Sequence, residues 1–244
     1  MNIPYLILSA LAVLVVLTIH EYAHGYAASK LGDNTARAYG RLTLNPIKHI
    51  DPLGAVCMIL FHVGWAKPVP INPRNFKNPK KGMALTALAG PLVNIVMAFV
   101  SAFLYIAMYS IFKDVGFENE FLFNLVENTL LFFFIFHQIN IGIAIFNMIP
   151  IPPLDGSRIL GAVLPAKTYW AIMKHERKIY YAFLFWLILG DYAAAGIRAI
   201  PLVASSPILY SLAGIFSLPD ILGDAIDFIS KIMIEFWLLI PFLG

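Results

Sequence analysis

The chain has 244 residues, 60% of them hydrophobic and 13% charged, with a mean hydropathy of +0.78 and a formal net charge of +3. An average soluble domain carries about 25% charged residues, so this composition excludes a water-soluble globule, and the small net charge gives no basic footprint for nucleic acid. The single cysteine, Cys57, excludes an intramolecular disulfide and a thiolate-rich zinc site.

The first apolar run predicts a helix over residues 3–29, roughly 40 Å long at ~1.5 Å per residue against a hydrocarbon core of ~30 Å. No basic stretch precedes it and no small-residue cleavage pattern follows, so it reads as a retained span rather than a signal peptide. A polar, basic segment covers 30–81. Within it, "DPLGAVCMILFHVGW" (51–65) is too short to cross as a helix and predicts a re-entrant or interfacial element. The flanking "ARAYGRLTLNP" and "AKPVPINP" have the alternation and proline boundaries of strands. Further spans are predicted over 83–112, 121–149 and 179–200. A broken apolar hairpin and a last helix near 225–243 would follow.

Nine of the 17 basic residues lie between 30 and 81 and five between 158 and 178, whereas the loop between the second and third spans holds Asp114, Glu118 and Glu120 against one lysine. The positive-inside rule then puts both basic segments in the cytoplasm. The ends of the first and third spans consequently meet on the cytoplasmic side.

Those two ends carry the chemistry. "TIHEYAHGYAASK" (18–30) contains H-E-x-x-H. On a helix, residues four apart lie about 40° from one another, so His20 and His24 can serve one metal ion, while Glu21 is placed as general base toward a water rather than as a ligand. Ionisable groups are expensive in a membrane helix and mark function there. Catalytic zinc wants a third protein ligand. His49, His62, His137, His175 and several carboxylates are candidates. Asp155 stands out, because "NMIPIPPLDG" breaks the third span with Pro150, Pro152 and Pro153 before Gly156. The same letters also describe an ordinary helix stop. His137, Asn140 and Asn147 form a polar stripe along one face of that span; for His137 and Asn140, interhelical hydrogen bonding is the simpler reading.

Together, "HEYAHGYAASKLGD" and "FNMIPIPPLDGSRIL" resemble the site-2 protease family of intramembrane zinc metalloproteases. "GRLTLNPIKHIDPLG", "GWAKPVPINP" and "ALAGPLVNIVMA" match its small prokaryotic branch. The resemblance covers 1–164 and implies an all-α polytopic membrane protein. A three-helix catalytic core would carry a small membrane-associated β or re-entrant element, followed by a cytoplasmic loop and transmembrane helices over 165–244. It implies Zn²⁺ held by His20, His24 and Asp155, Glu21 as base, and Asn147 and Asn94 near the scissile carbonyl or the substrate. The expected activity is endopeptidase cleavage in or beside transmembrane segments of a membrane-protein partner. The expected setting is the bacterial inner membrane, with the site toward the cytoplasm. This chain lacks the peptide-binding and nucleotide-sensing domains of many relatives. Competing readings are a zinc hydrolase acting on a non-peptide substrate, a catalytically silent metal-stabilised binder, and a metal transporter. A transporter would need ligands along a through-path. A silent binder would not need Glu21. A substrate helix must unwind before cleavage, and the strand-like segments offer an edge to which it could add.

Overall fold

The computed structural model of the chain describes residues 3–52, 54, 66–214 and 217–240. Helix α1 is Ile3–Lys30, α2 is Pro79–Phe112 and α3 is Glu120–Met148; all three are long and apolar enough to cross a bilayer. Then come α4 (Asp155–Val163), α5 (Ala166–Met173), α6 (Glu176–Arg198) and α7 (Leu218–Leu238). The expected apolar hairpin is two short helices, Pro201–Ala204 and Pro207–Ala213. The all-α polytopic membrane architecture expected from composition and motifs is the one the chain adopts.

Local chemistry sets the helix ends. α1 stops where Gly32 takes a positive φ of 109° and the Asp33 N–H reaches back 2.9 Å to the Ala28 carbonyl, a glycine C-cap. The Asn78 side chain caps α2 by accepting from the Lys81 N–H, with Pro79 in the first turn, where its missing N–H costs nothing. Asn119 caps α3 in the same way, and Pro150 prevents α3 from continuing.

The three long helices pack on one another along small residues. α2 buries Gly82, Ala84, Ala87, Gly90, Ala98, Ser101 and Ala102, and exposes Leu85, Leu92, Val96, Val100 and Leu104 to the lipid side. Without a hydrophobic drive between helices in lipid, close backbone approach of this kind supplies the association. On α1, buried residues recur every fourth position: Ala12, Val16, His20, His24 and Ala28. Ala12 and Val16 pack against Ile135 and Phe136 of α3. The two histidines continue the same seam downward, so helix packing carries them into the protein. α7 covers the other flank of α2 and α3, with Trp237 Nε1 donating to the Phe99 carbonyl at 3.0 Å and Ser230 Oγ 2.9 Å from His137 Nε2.

The strand expectation is corrected. No strand forms among the described residues. Thr35–Ala38 is helical, and pairing is limited to one antiparallel bridge between Ile50 and Ala66. Apart from 51, 52 and 54, the re-entrant element expected over 51–65 lies outside the described residues, as do Cys57 and His62. Residues 66–72 do run without helix, but as a tethered strap. The Lys67 N–H donates to the His49 carbonyl at 2.9 Å, and Arg41 Nη2 donates to the Lys67 carbonyl at 2.7 Å. At the far end the Asn72 N–H donates to Asp33 Oδ2 at 2.7 Å. Asp33 is fully buried and also accepts from the Thr35 hydroxyl and N–H and from Asn75 Nδ2. Burial would push its carboxyl up, but these donors outweigh that and hold it below the ordinary carboxylate range.

Candidate active site

His20, Glu21 and His24 sit in the last third of α1, and Asp155 opens α4 just past the proline break. Folding brings the ends of α1 and α4 together. His20 Nε2 and His24 Nε2 lie 3.0 Å apart, and Asp155 Oδ2 lies 3.2 Å from the first and 3.1 Å from the second. All three side chains are mostly shielded, the histidines buried and Asp155 half-buried.

The partners of the other ring nitrogens define what this cluster can hold. His24 Nδ1 donates to the Thr86 carbonyl at 2.7 Å, and His20 Nδ1 donates to Asn94 Oδ1 at 2.6 Å. With both Nδ1 atoms carrying the proton, both Nε2 atoms present lone pairs, and they face a carboxylate. Two imidazole lone pairs and a carboxylate converging with no donor between them are the donor set of a catalytic zinc, which takes nitrogen and oxygen ligands and keeps one position open. The residues fit the ion. Gly90 of α2 makes room for them, since a Cβ there would stand 2.5 Å from His24 Nε2 and 2.6 Å from His20 Cε1.

Glu21 is next to this cluster but outside it. Its Oε2 accepts from the Val69 N–H at 2.9 Å, and both residues line the same cavity of about 150 Å³ as His20, His24 and Asp155. Asn147 lines it too, with Nδ2 donating to the Ile143 carbonyl at 3.1 Å. Asn94 does not line it. This residue, expected beside the substrate, is fully buried and turned to His20. Of the other histidines within the described residues, His49 bonds the Thr43 carbonyl, His137 bonds Ala98 and Ser230, and exposed His175 bonds the Ala171 carbonyl; none joins the cluster.

The model of peptidase family M50 matches residues 8–190. The chain belongs to peptidase family M50. The similarity extends to individual relatives. It is 39% identical over 186 residues to a Bacillus subtilis (strain 168) protein named "Putative zinc metalloprotease YwhC", covering 76% of this chain and 80% of that one. Under the same description, MJ0611 of Methanocaldococcus jannaschii is 30% identical over 164 residues, 65% of this chain and 72% of its own. Rip2 of Mycolicibacterium smegmatis is 27% identical over 163 residues, 65% of this chain and 58% of its own. No solved structure matches the chain. The resemblance to site-2 proteases therefore holds: this M50 member is a zinc metalloprotease and an integral membrane protein.

Two features of the M50 cavity escape sequence reasoning. Arg158, one turn past Asp155, lines it and is exposed, although its letter registered only as a topogenic charge. The Val69 amide is a backbone donor with no letter of its own. The strap also bears on the strand-addition expectation for residues 66–72. Pro68 and Pro70 have no N–H, while Lys67, Val69 and Asn72 spend theirs on His49, Glu21 and Asp33. A substrate strand laid here would find carbonyls but not a regular row of N–H donors.

Proposed function

We propose that the chain is an intramembrane endopeptidase that cleaves peptide bonds in or beside transmembrane segments of other membrane proteins. His20, His24 and Asp155 hold its zinc in this reading. The observation that carries it is the convergence, within 3.2 Å, of a carboxylate and two Nε2 lone pairs borne by a helix long and apolar enough to cross a bilayer. Zinc bound there supplies a Lewis acid for the scissile carbonyl and lowers the pKa of a water to about 7. The protein's own groups do the rest. Glu21 takes the proton that the attacking water must lose and delivers it to the amine as the C–N bond breaks. The Val69 N–H holds one Glu21 oxygen, so the other is left to face the water. Asn147, at the cavity wall beside the proline break, is placed to steady the developing oxyanion.

Substrates in this reading are single-pass proteins whose helix unwinds easily near the cut, because a helical peptide bond hides its polar groups in its own ladder. The test uses paired substrates in lipid vesicles, one with glycine or proline near the cleavage point and one with leucine there. The leucine substrate should be cut at least about tenfold more slowly, one decade being about 1.4 kcal/mol of unwinding. Equal rates would sink the intramembrane reading and leave a zinc protease acting on exposed loops.

The charge bias supports a site toward the cytoplasm, and the membrane in this reading is a prokaryotic plasma membrane. In a Cys57-free background, cysteine at exposed Glu118 should react with an impermeant maleimide from outside, and cysteine at exposed Lys77 only after the membrane is opened. Both positions avoid the capping residues Asn119 and Asn78. The reverse labelling pattern would overturn the orientation.

A further inference from the structure

We propose that Asn140 is a positioning residue for the metal centre, acting through Asn94 to fix which nitrogen of His20 carries the proton. The inference rests on His20 being a ligand. It follows from one hydrogen-bond chain across all three long helices. Asn140 Nδ2 lies 2.8 Å from the Phe136 carbonyl, which can only accept. The amide of Asn140 is therefore oriented with Nδ2 toward Phe136 and Oδ1 toward Asn94. Asn94 Nδ2 donates to that Oδ1 at 2.8 Å, which turns Asn94 Oδ1 to His20 Nδ1 at 2.6 Å. An oxygen facing Nδ1 selects the Nδ1–H tautomer and leaves the Nε2 lone pair for the ion. Asn94 and Asn140 are fully buried, so no bulk water can replace a lost partner.

The two histidines are thus set by different means. His24 takes its orientation directly from a backbone carbonyl, Thr86, which side-chain substitution does not remove. His20 depends on two amides, each of which would accept the opposite orientation if its neighbour allowed it. Asn140 anchors that choice. A bond that merely joined α2 to α3 would be indifferent to the direction of the amides, whereas the metal centre is not.

The test compares Asn140→Ser and Asn140→Asp in the full-length protein in detergent. The serine hydroxyl can bond back to the Phe136 carbonyl four residues earlier and keep the helix intact, but it is too short to hold Asn94. A buried aspartic acid, neutral in this setting, both donates to Phe136 and accepts from Asn94. Zinc affinity is read by chelator competition, and the His20 tautomer by ¹⁵N-histidine NMR of the metal-free protein. Asn140→Ser should weaken zinc binding by about tenfold to a hundredfold, the range for lost outer-shell partners, and divide the His20 signal between tautomers. Asn140→Asp should stay near wild type. In an Asn94→Ala background Asn140→Ser should add nothing, because its route is gone. Unchanged affinity with an undivided Nδ1–H signal in Asn140→Ser would overturn the proposal. So would a tenfold loss in Asn140→Asp, or a further tenfold loss in the Asn94→Ala background. His20→Ala separates the two readings: if it keeps wild-type zinc affinity, the ligand assignment fails rather than the relay.

Discussion

Glu21→Gln should reduce hydrolysis by about 10²–10⁴-fold, the usual worth of a general base, while bound zinc stays stoichiometric. The two effects separate because Glu21 is adjacent to the ligand cluster without belonging to it. Glutamine has the same shape, and its amide oxygen can still accept from the Val69 N–H, so the side chain should keep its place. What it loses is the ability to take a proton. Metal analysis and a cleavage assay on the same preparation read both halves of this expectation. A wild-type rate would remove Glu21 from the mechanism. Loss of zinc would show that it is a ligand after all.

Gly90→Ala should weaken zinc binding by about one to two decades, and activity with it, through a single methyl group. The added carbon would stand 2.5 Å from His24 Cε1 and Nε2 and 2.6 Å from His20 Cε1, well inside any tolerable contact. Neither imidazole can yield cheaply, since His24 is tied to Thr86 and His20 to Asn94. Relief by moving α2 would open the small-residue packing that binds it to α1. Overpacking of this kind costs typically 1–3 kcal/mol, and here it falls on the donor set itself, so zinc affinity should drop at least about tenfold per 1.4 kcal/mol diverted from binding. Gly116→Ala, whose added carbon meets nothing within 4 Å, is the matched control. Wild-type zinc affinity in Gly90→Ala, read by chelator competition, would show that the ligands sit elsewhere than the geometry places them.

What could be read from the letters follows from where the information lies. The spans over 3–29, 83–112 and 121–149 were legible because length and hydropathy are properties of contiguous sequence. His20 and His24 were legible because a helical register fixes side chains four apart. Asp155 needed more, a proline break that could equally have been a helix stop, and the fold sets it 3.2 Å from His20. The bond of Asn94 to Asn140 was not legible, because the two lie 46 residues apart on different helices and no spacing rule reaches that far. The strap failed as a strand because β-like alternation says nothing about whether the N–H groups are free. Here Pro68 and Pro70 lack them, and His49, Glu21 and Asp33 hold those of Lys67, Val69 and Asn72.

The contact between Glu21 and the main chain at Val69 also bears on how this enzyme can drift over generations. A base steadied by another side chain is vulnerable to any substitution of that partner. A base steadied by a peptide N–H is not: at position 69 only proline deletes the donor. Isoleucine, threonine or alanine there would alter the fit against Gly25 and leave the hydrogen bond in place. The position can therefore vary in bulk, and with it the shape of the cavity wall, without touching proton transfer. Divergence in what the enzyme cuts has an open route here that does not pass through loss of catalysis.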